Sequence, residues 1–132
     1  RQMCIRDRSE AEYNALDYPE LLAALTERVP AAHVTFLQSF EDRIAVGDYL
    51  FVHAGIRPRV PIDEQKGADL RWIRSDFLDF RASHGPVVVH GHTICEQVEE
   101  LPNRIGIDTG AYATGRLTAL GLEADRRWFL AT

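Results

Sequence analysis

The chain has 132 residues, 45% of them hydrophobic, and a formal net charge of -5 at neutral pH. Length and apolar content suit one soluble core, the negative charge argues against nucleic acid as a partner, and no apolar run approaches the ~20 residues that cross a bilayer. Nothing reads as a signal peptide, and two cysteines, Cys4 and Cys95, make no disulfide framework, so a reducing cytoplasm without a membrane partner is expected; a single bond between the two stays open.

Residues 1–9 stand apart. Met3-Cys4-Ile5-Arg6-Asp7-Arg8 has neither helical nor strand periodicity. It resembles translated adapter sequence, so residues 1–9 are expected to be a non-native or disordered leader ahead of a domain over 10–132.

From there the pattern alternates. Asp17 can cap and Pro19 suits a first helical turn, with Leu21, Leu22, Leu25 and Val29 on one stripe. Pro30 ends that helix and opens another, in which Val34, Leu37 and Phe40 keep helical spacing. Arg43 to Val46 and Tyr49 to His53 flank Gly47-Asp48, a two-residue hairpin signal. Leu70, Ile73, Phe77 and Phe80 predict one amphipathic helix, and Val87-Val88-Val89 a buried strand. Three more strands are expected near Arg104–Ile107, Leu117–Leu122 and Trp128–Leu130. No repeat or linker divides the chain, which reads as one α/β unit or half of one.

The chemistry gathers where strands end. Phe51-Val52-His53-Ala54-Gly55, His90-Gly91-His92-Thr93 and Ile107-Asp108-Thr109-Gly110 each stop an apolar run at a histidine or aspartate beside glycine. Strand ends are where α/β proteins collect ligands, and neutral imidazole is a common metal ligand. His53 and His92 would face each other if their strands are neighbours, supplying part of a ligand set. His90, alternating to the opposite face, is expected to pack beside the site. His90, His92 and Cys95 also form a His-x-His-x-x-Cys cluster, which lacks the fourth ligand of a self-contained zinc site. Arg74 carries a planar guanidinium suited to phosphoryl oxygens, or is an ordinary solvated arginine. No P-loop, dinucleotide fingerprint or Gly-x-Ser-x-Gly elbow occurs.

Four blocks in order, Tyr49 to Pro58, Asp69 to Arg74, Val88 to Thr93 and Asn103 to Leu117, resemble bacterial metallophosphoesterases of the serine/threonine protein phosphatase (calcineurin-like) type, from about Glu12 onward. The resemblance implies the C-terminal half of a β-sandwich flanked by helices, a four-layer αββα arrangement. It also implies two divalent metal ions in the intact enzyme, manganese first, with iron or zinc as alternatives. Carried over by position, His53 and His92 resemble two ligands of the second metal, and Arg74 an arginine that holds the substrate phosphate. Asp108, Gly110 and Tyr112 resemble a segment closing one side, with His90, Asp108 and Tyr112 as supports rather than ligands.

Departures from the pattern matter as much. The family's Gly-Asp-x-His-Gly, Gly-Asp-x-x-Asp-Arg-Gly and Gly-Asn-His-Glu blocks are absent. Those blocks carry the first metal's ligands, the bridging aspartate and the histidine acid, so no catalytic acid is assigned. Ile94 stands where proline often follows, and Arg59 where glycine is frequent. The gene is expected to encode a phosphoric ester hydrolase acting on a phosphorylated protein or small phosphate ester, with this chain inactive alone. The alternatives are a dinucleoside tetraphosphate hydrolase of the same fold and a non-catalytic metal-binding module using His53, His92 and Cys95. Oligomeric state is not legible.

Overall fold

A computed structural model describes residues 11, 14–124 and 126–132. The expected leader over 1–9 and Cys4 lie outside the described residues. The chain divides into two compact units, one ending at Phe40 and the other running from Glu41 to Thr132.

The first unit contains α1 (Tyr18–Arg28) and α2 (Ala31–Gln38). Asp17 caps α1 through a capping box: its carboxylate accepts from the Glu20 amide at 2.9 Å, and Glu20 accepts from the Asp17 amide at 3.1 Å. Pro19 falls in the first turn as the sequence predicts. Neither helix buries a residue. On α2 and just beyond it the apolar positions Phe36, Leu37 and Phe40 stay exposed, with the two phenylalanine rings edge to face at 4.8 Å.

The second unit is built on a mixed five-stranded sheet. Strands β1 (Arg43–Val46) and β2 (Tyr49–Val52) form the predicted hairpin, with Val46 opposite Tyr49 and Gly47 at φ 57° in the turn. β3 (Val87–His90) lies parallel to β2, β5 (Arg104–Gly106) parallel to β3, and the short β4 (Glu99–Glu100) closes the edge antiparallel to β5. The order is β1-β2-β3-β5-β4. β6 (Thr118–Glu123) and β7 (Arg126–Ala131) make a separate two-stranded hairpin.

Alternation along the strands sorts the core. Leu50 and Val88 face Leu70, Ile73 and Phe77 in one cluster with Ala54 and Ile56. Val89 and Ile105, one residue out of phase, are buried as well. A strand buried on both faces reads as an unbroken apolar run, which is why Val87 to Val89 was legible.

One predicted helix is two. α3 (Gly67–Trp72) and α4 (Ser75–Leu78) are separated by an extended Ile73 at φ -60°, ψ 145°. In a continuous helix the Leu70 carbonyl would accept from the Arg74 amide. Here the Ala54 amide, leaving β2, takes that carbonyl at 2.8 Å. Tertiary hydrogen bonding thus breaks a helix that apolar spacing alone would continue, since Leu70, Ile73 and Phe77 are all buried. Arg74 moves from a helix interior to the start of α4. The four-residue α5 (Ala111–Thr114) and β4 are too short for sequence periodicity to signal. No helix among the described residues is long and apolar enough to cross a membrane.

Candidate functional site

The three adjacent parallel strands β2, β3 and β5 end at one edge, and each delivers a residue singled out in the sequence. His53 follows β2, His92 lies two residues beyond β3, and Asp108 lies two beyond β5. Ladder bonds fix the alignment: the Gly91 amide donates to the His53 carbonyl at 2.9 Å and the Ile107 amide to the His90 carbonyl at 3.0 Å. A cavity of about 290 Å³ lies there, lined by His53, His92 and Asp108 among others. Carboxyl ends of parallel strands are the usual ligand edge of such sheets.

His53 and His92 come together, with ring centroids 5.0 Å apart. His92 sits off the strand at φ 64°, and the Thr93 amide closes back on the Gly91 carbonyl at 2.7 Å. This three-residue turn around a left-handed non-glycine residue is rare and costs on the order of 1–3 kcal/mol. Burial first, then the charges of Arg74 and His53, holds the His92 imidazole below its ordinary pKa, which favours the neutral, ligating form. Its Nε2 is shielded from solvent and makes no hydrogen bond among the described residues.

Arg74, freed by the helix break, donates from Nη1 to the Thr93 hydroxyl at 3.3 Å, which puts a fixed positive charge beside the turn that carries His92. Trp72 packs perpendicular to His92, centroids 5.6 Å apart. Neither the Trp72 contact nor the Thr93 hydroxyl was singled out from sequence, because both depend on where the helix breaks.

His90 turns the other way. Its ring is buried against Phe77, and Nε2 lies 3.3 Å from Arg104 Nη1. The Asp108 carboxylate accepts from the Gly110 amide at 3.0 Å, shaping the loop. Tyr112 is 89% exposed, and its hydroxyl makes no hydrogen bond among the described residues. Cys95 donates weakly to the Thr93 carbonyl, and burial pushes its thiol pKa up, away from the ligating thiolate. Among the described residues no three His, Cys, Asp or Glu side chains converge as a metal site, so neither the His-x-His-x-x-Cys cluster nor a His53, His92 and Cys95 set assembles here.

Arg59 refines one expectation, and Gly55 shows what its missing side chain makes room for. Arg59 adopts φ 65°, the conformation for which glycine is favoured, and lies 5.9 Å from the Phe80 ring. Gly55 does admit a close neighbour, but that neighbour is the Phe77 ring, 2.3 Å from where a Cβ would stand. It is a packing glycine rather than a ligand approach.

Among solved structures the chain is similar to the crystal structure of a "putative diadenosine tetraphosphatase", with a TM-score of 0.64 and 21% identity. The match covers 83% of this chain and 59% of that one. The likeness is one of fold, a mixed α/β arrangement of a sheet with helices packed on it. No family model and no curated protein matches the sequence. The chain thus spans less than two thirds of that neighbour's length.

The described donors fit part of one metal site. Two imidazoles on adjacent strand ends, one with a buried nitrogen that has no partner among the described residues, suit a divalent ion such as manganese or zinc as two of its ligands. They do not fit two ions.

Proposed function

We propose that this chain contributes the metal-and-phosphate half of a phosphoric ester hydrolase, acting on a dinucleoside polyphosphate in preference to a phosphoprotein. The observation that carries the reading is the convergence of His53 and His92 at the parallel strand ends with Arg74 beside them. The structural neighbour's description favours the dinucleotide over the phosphoprotein; the four sequence blocks are what support the phosphoprotein as a second reading.

In this reading His53 and His92 hold a divalent ion, and Arg74 binds equatorial oxygens of the phosphoryl group. When bound, such ions lower the pKa of water and offset charge on the phosphoryl oxygens. Arg74 adds a fixed cation whose planar donors match those oxygens. The Arg74 bond to Thr93 orients the guanidinium toward the His92 turn before substrate arrives, which reduces the ordering cost of binding. No residue assigned here would protonate the leaving oxygen as its bond to phosphorus breaks.

The test sets diadenosine tetraphosphate against a phosphoserine peptide, with manganese added, for the chain alone and fused to a segment carrying the three absent blocks. Manganese-dependent hydrolysis of the dinucleotide by the fusion, faster than of the peptide, is the expected result. Faster peptide hydrolysis would move the assignment to a protein phosphatase. Selective paramagnetic broadening of the His53 and His92 ring protons by manganese checks the metal site without turnover, and its absence would remove the metal reading.

A further inference from the structure

Trp72 ends α3 with its indole 70% exposed, although a side chain of that size and apolarity usually finds cover. It lines a cleft of about 460 Å³ with Arg57, Asp69, Ile73, Arg74 and Asp76. Charge is divided across that cleft. Arg57 bonds Asp69 and Asp76, each at 2.7 Å, a trio that retains one net negative charge. Arg74 has a neutral partner, the Thr93 hydroxyl, and no carboxylate within ion-pair distance among the described residues. An anion therefore belongs at the Arg74 end, beside His92. The opposite wall repels a second phosphate; both Asp69 oxygens and Asp76 Oδ2 accept from Arg57, and Asp76 Oδ1 remains to accept from an N–H donor of a ligand.

A molecule that fits carries phosphate at one end and a flat, amino-bearing ring at the other. We propose that the Trp72 cleft is a nucleobase subsite, in which the base of a nucleoside phosphate stacks on the indole while Arg74 holds its phosphate. The inference rests on the reading of Arg74 and His92 as the phosphate side of the site, and adds what lies next to that phosphate. Indole–base stacking is sequence-tolerant and strong enough to read in binding.

The experiment measures dissociation constants of AMP, ribose 5-phosphate and a phosphoserine peptide for the full chain by calorimetry, with manganese and again with EDTA. Trp128→Phe leaves Trp72 as the sole indole for fluorescence. AMP is expected to bind roughly 5- to 150-fold tighter than ribose 5-phosphate and to quench Trp72 saturably. Trp72→Ala, a change at an exposed position, should erase that ratio while ribose 5-phosphate binding persists. Arg74→Ala should weaken both ligands alike. Equal affinities in the parent, or a ratio that survives Trp72→Ala, overturn the base subsite while leaving the phosphate reading intact. A Trp72-dependent preference for the peptide overturns it in favour of a protein substrate. If none of the three binds, the phosphate reading falls and the subsite with it.

Discussion

Arg104 Nη1 stands 3.3 Å from His90 Nε2, with the guanidinium buried beneath the sheet end that carries His92. The same Nη1 donates to Glu99 at 2.7 Å, and Nη2 donates to the Leu78 carbonyl at 3.2 Å. An arginine can only donate, so His90 Nε2 must accept and the ring proton sits on Nδ1. Nδ1 lies 3.2 Å from the Gly91 carbonyl, which also accepts from Thr93 to close the His92 turn. The guanidinium thereby selects the tautomer that supports the turn.

Removing Arg104 should therefore loosen the turn as well as the core. Arg104→Met leaves His90 Nε2 without its donor and Glu99 without its cation, and is expected to cost on the order of 3 kcal/mol in urea unfolding. Glu99→Gln should cost less, because that carboxylate is partly solvated. The His92 backbone resonances should shift in Arg104→Met and stay nearly fixed in Glu99→Gln. The reverse order would separate Arg104 from the turn.

Phe77 and Gly55 define the second prediction. Phe77 is fully buried, and its ring occupies the space that a side chain at Gly55 would need. Phe77→Ala should cost roughly 3–5 kcal/mol through the cavity it leaves. Gly55→Ala should cost about 1–3 kcal/mol through overpacking. In the double variant Gly55→Ala/Phe77→Ala the two losses should be less than additive, because the smaller side chain yields space. Additive unfolding energies would contradict the contact.

Acid sensitivity should appear in two stages. His84, between Phe77 and Phe80 with Nε2 shielded and unbonded among the described residues, is held below its ordinary pKa, first by burial and then by the Arg104 charge. The unfolded chain binds that proton more readily, so stability falls as pH drops below about 6.5. Arg57 holds the Asp69 carboxyl below its ordinary value, and Arg104 does the same for Glu99. Their contribution is complete above the ordinary carboxylate range and is lost as pH falls from about 4.3 through their folded values. Thermal melts of His84→Leu should show a smaller first stage, the remainder belonging to His90 and His92, which burial also holds below their ordinary values, and those of Asp69→Asn should show a smaller second one. A melting temperature that rises on acidification through pH 6 would reverse the assigned sign.

The elements that sequence exposes and those it hides follow from what determines each. Gly47-Asp48 and the run Val87 to Val89 are local signals, a turn chemistry and a doubly buried strand, and both appear where expected. The break after Trp72 is not local. It depends on the Ala54 amide capturing the Leu70 carbonyl, a partner sixteen residues away in sequence, while the apolar spacing on both sides remains helical. The pairing of His53 with His92 was legible only as a condition, that their strands be neighbours, which the parallel β2–β3 register meets. Arg104 carries no sequence mark of burial. An arginine within a strand reads as solvent-facing until Glu99 and His90 are placed around it.

Metal binding by the chain alone should be single and weak. Two imidazoles supply two ligands, and no further His, Cys, Asp or Glu side chain joins them among the described residues. Calorimetric titration with manganese or zinc should show at most one site, abolished by His92→Ala and by His53→Ala. Two tight sites would contradict the ligand count. His90→Ala should destabilise the fold while leaving residual metal binding, whereas equal metal loss at His90 and His92 would restore the His-x-His-x-x-Cys reading.

Arg74 and His53 should fail in different ways once the missing blocks are supplied by fusion. Arg74 bonds Thr93 and is not assigned to the metal, so Arg74→Ala should lower turnover of a simple aryl phosphate on the order of 10²-fold, as loss of one donor to developing charge does. Its metal content should be unchanged. His53, 5.0 Å from His92 between ring centres, is read as a ligand, so His53→Ala should lower metal occupancy and activity together. Raising the metal concentration should partly restore His53→Ala, because the lost occupancy can be recovered by mass action, and should not restore Arg74→Ala, whose metal is already bound. Metal analysis by mass spectrometry beside the rate measurement separates these outcomes. An Arg74→Ala fusion stripped of metal, or a His53→Ala fusion with full occupancy and full rate, would mean that the two roles have been assigned to the wrong residues.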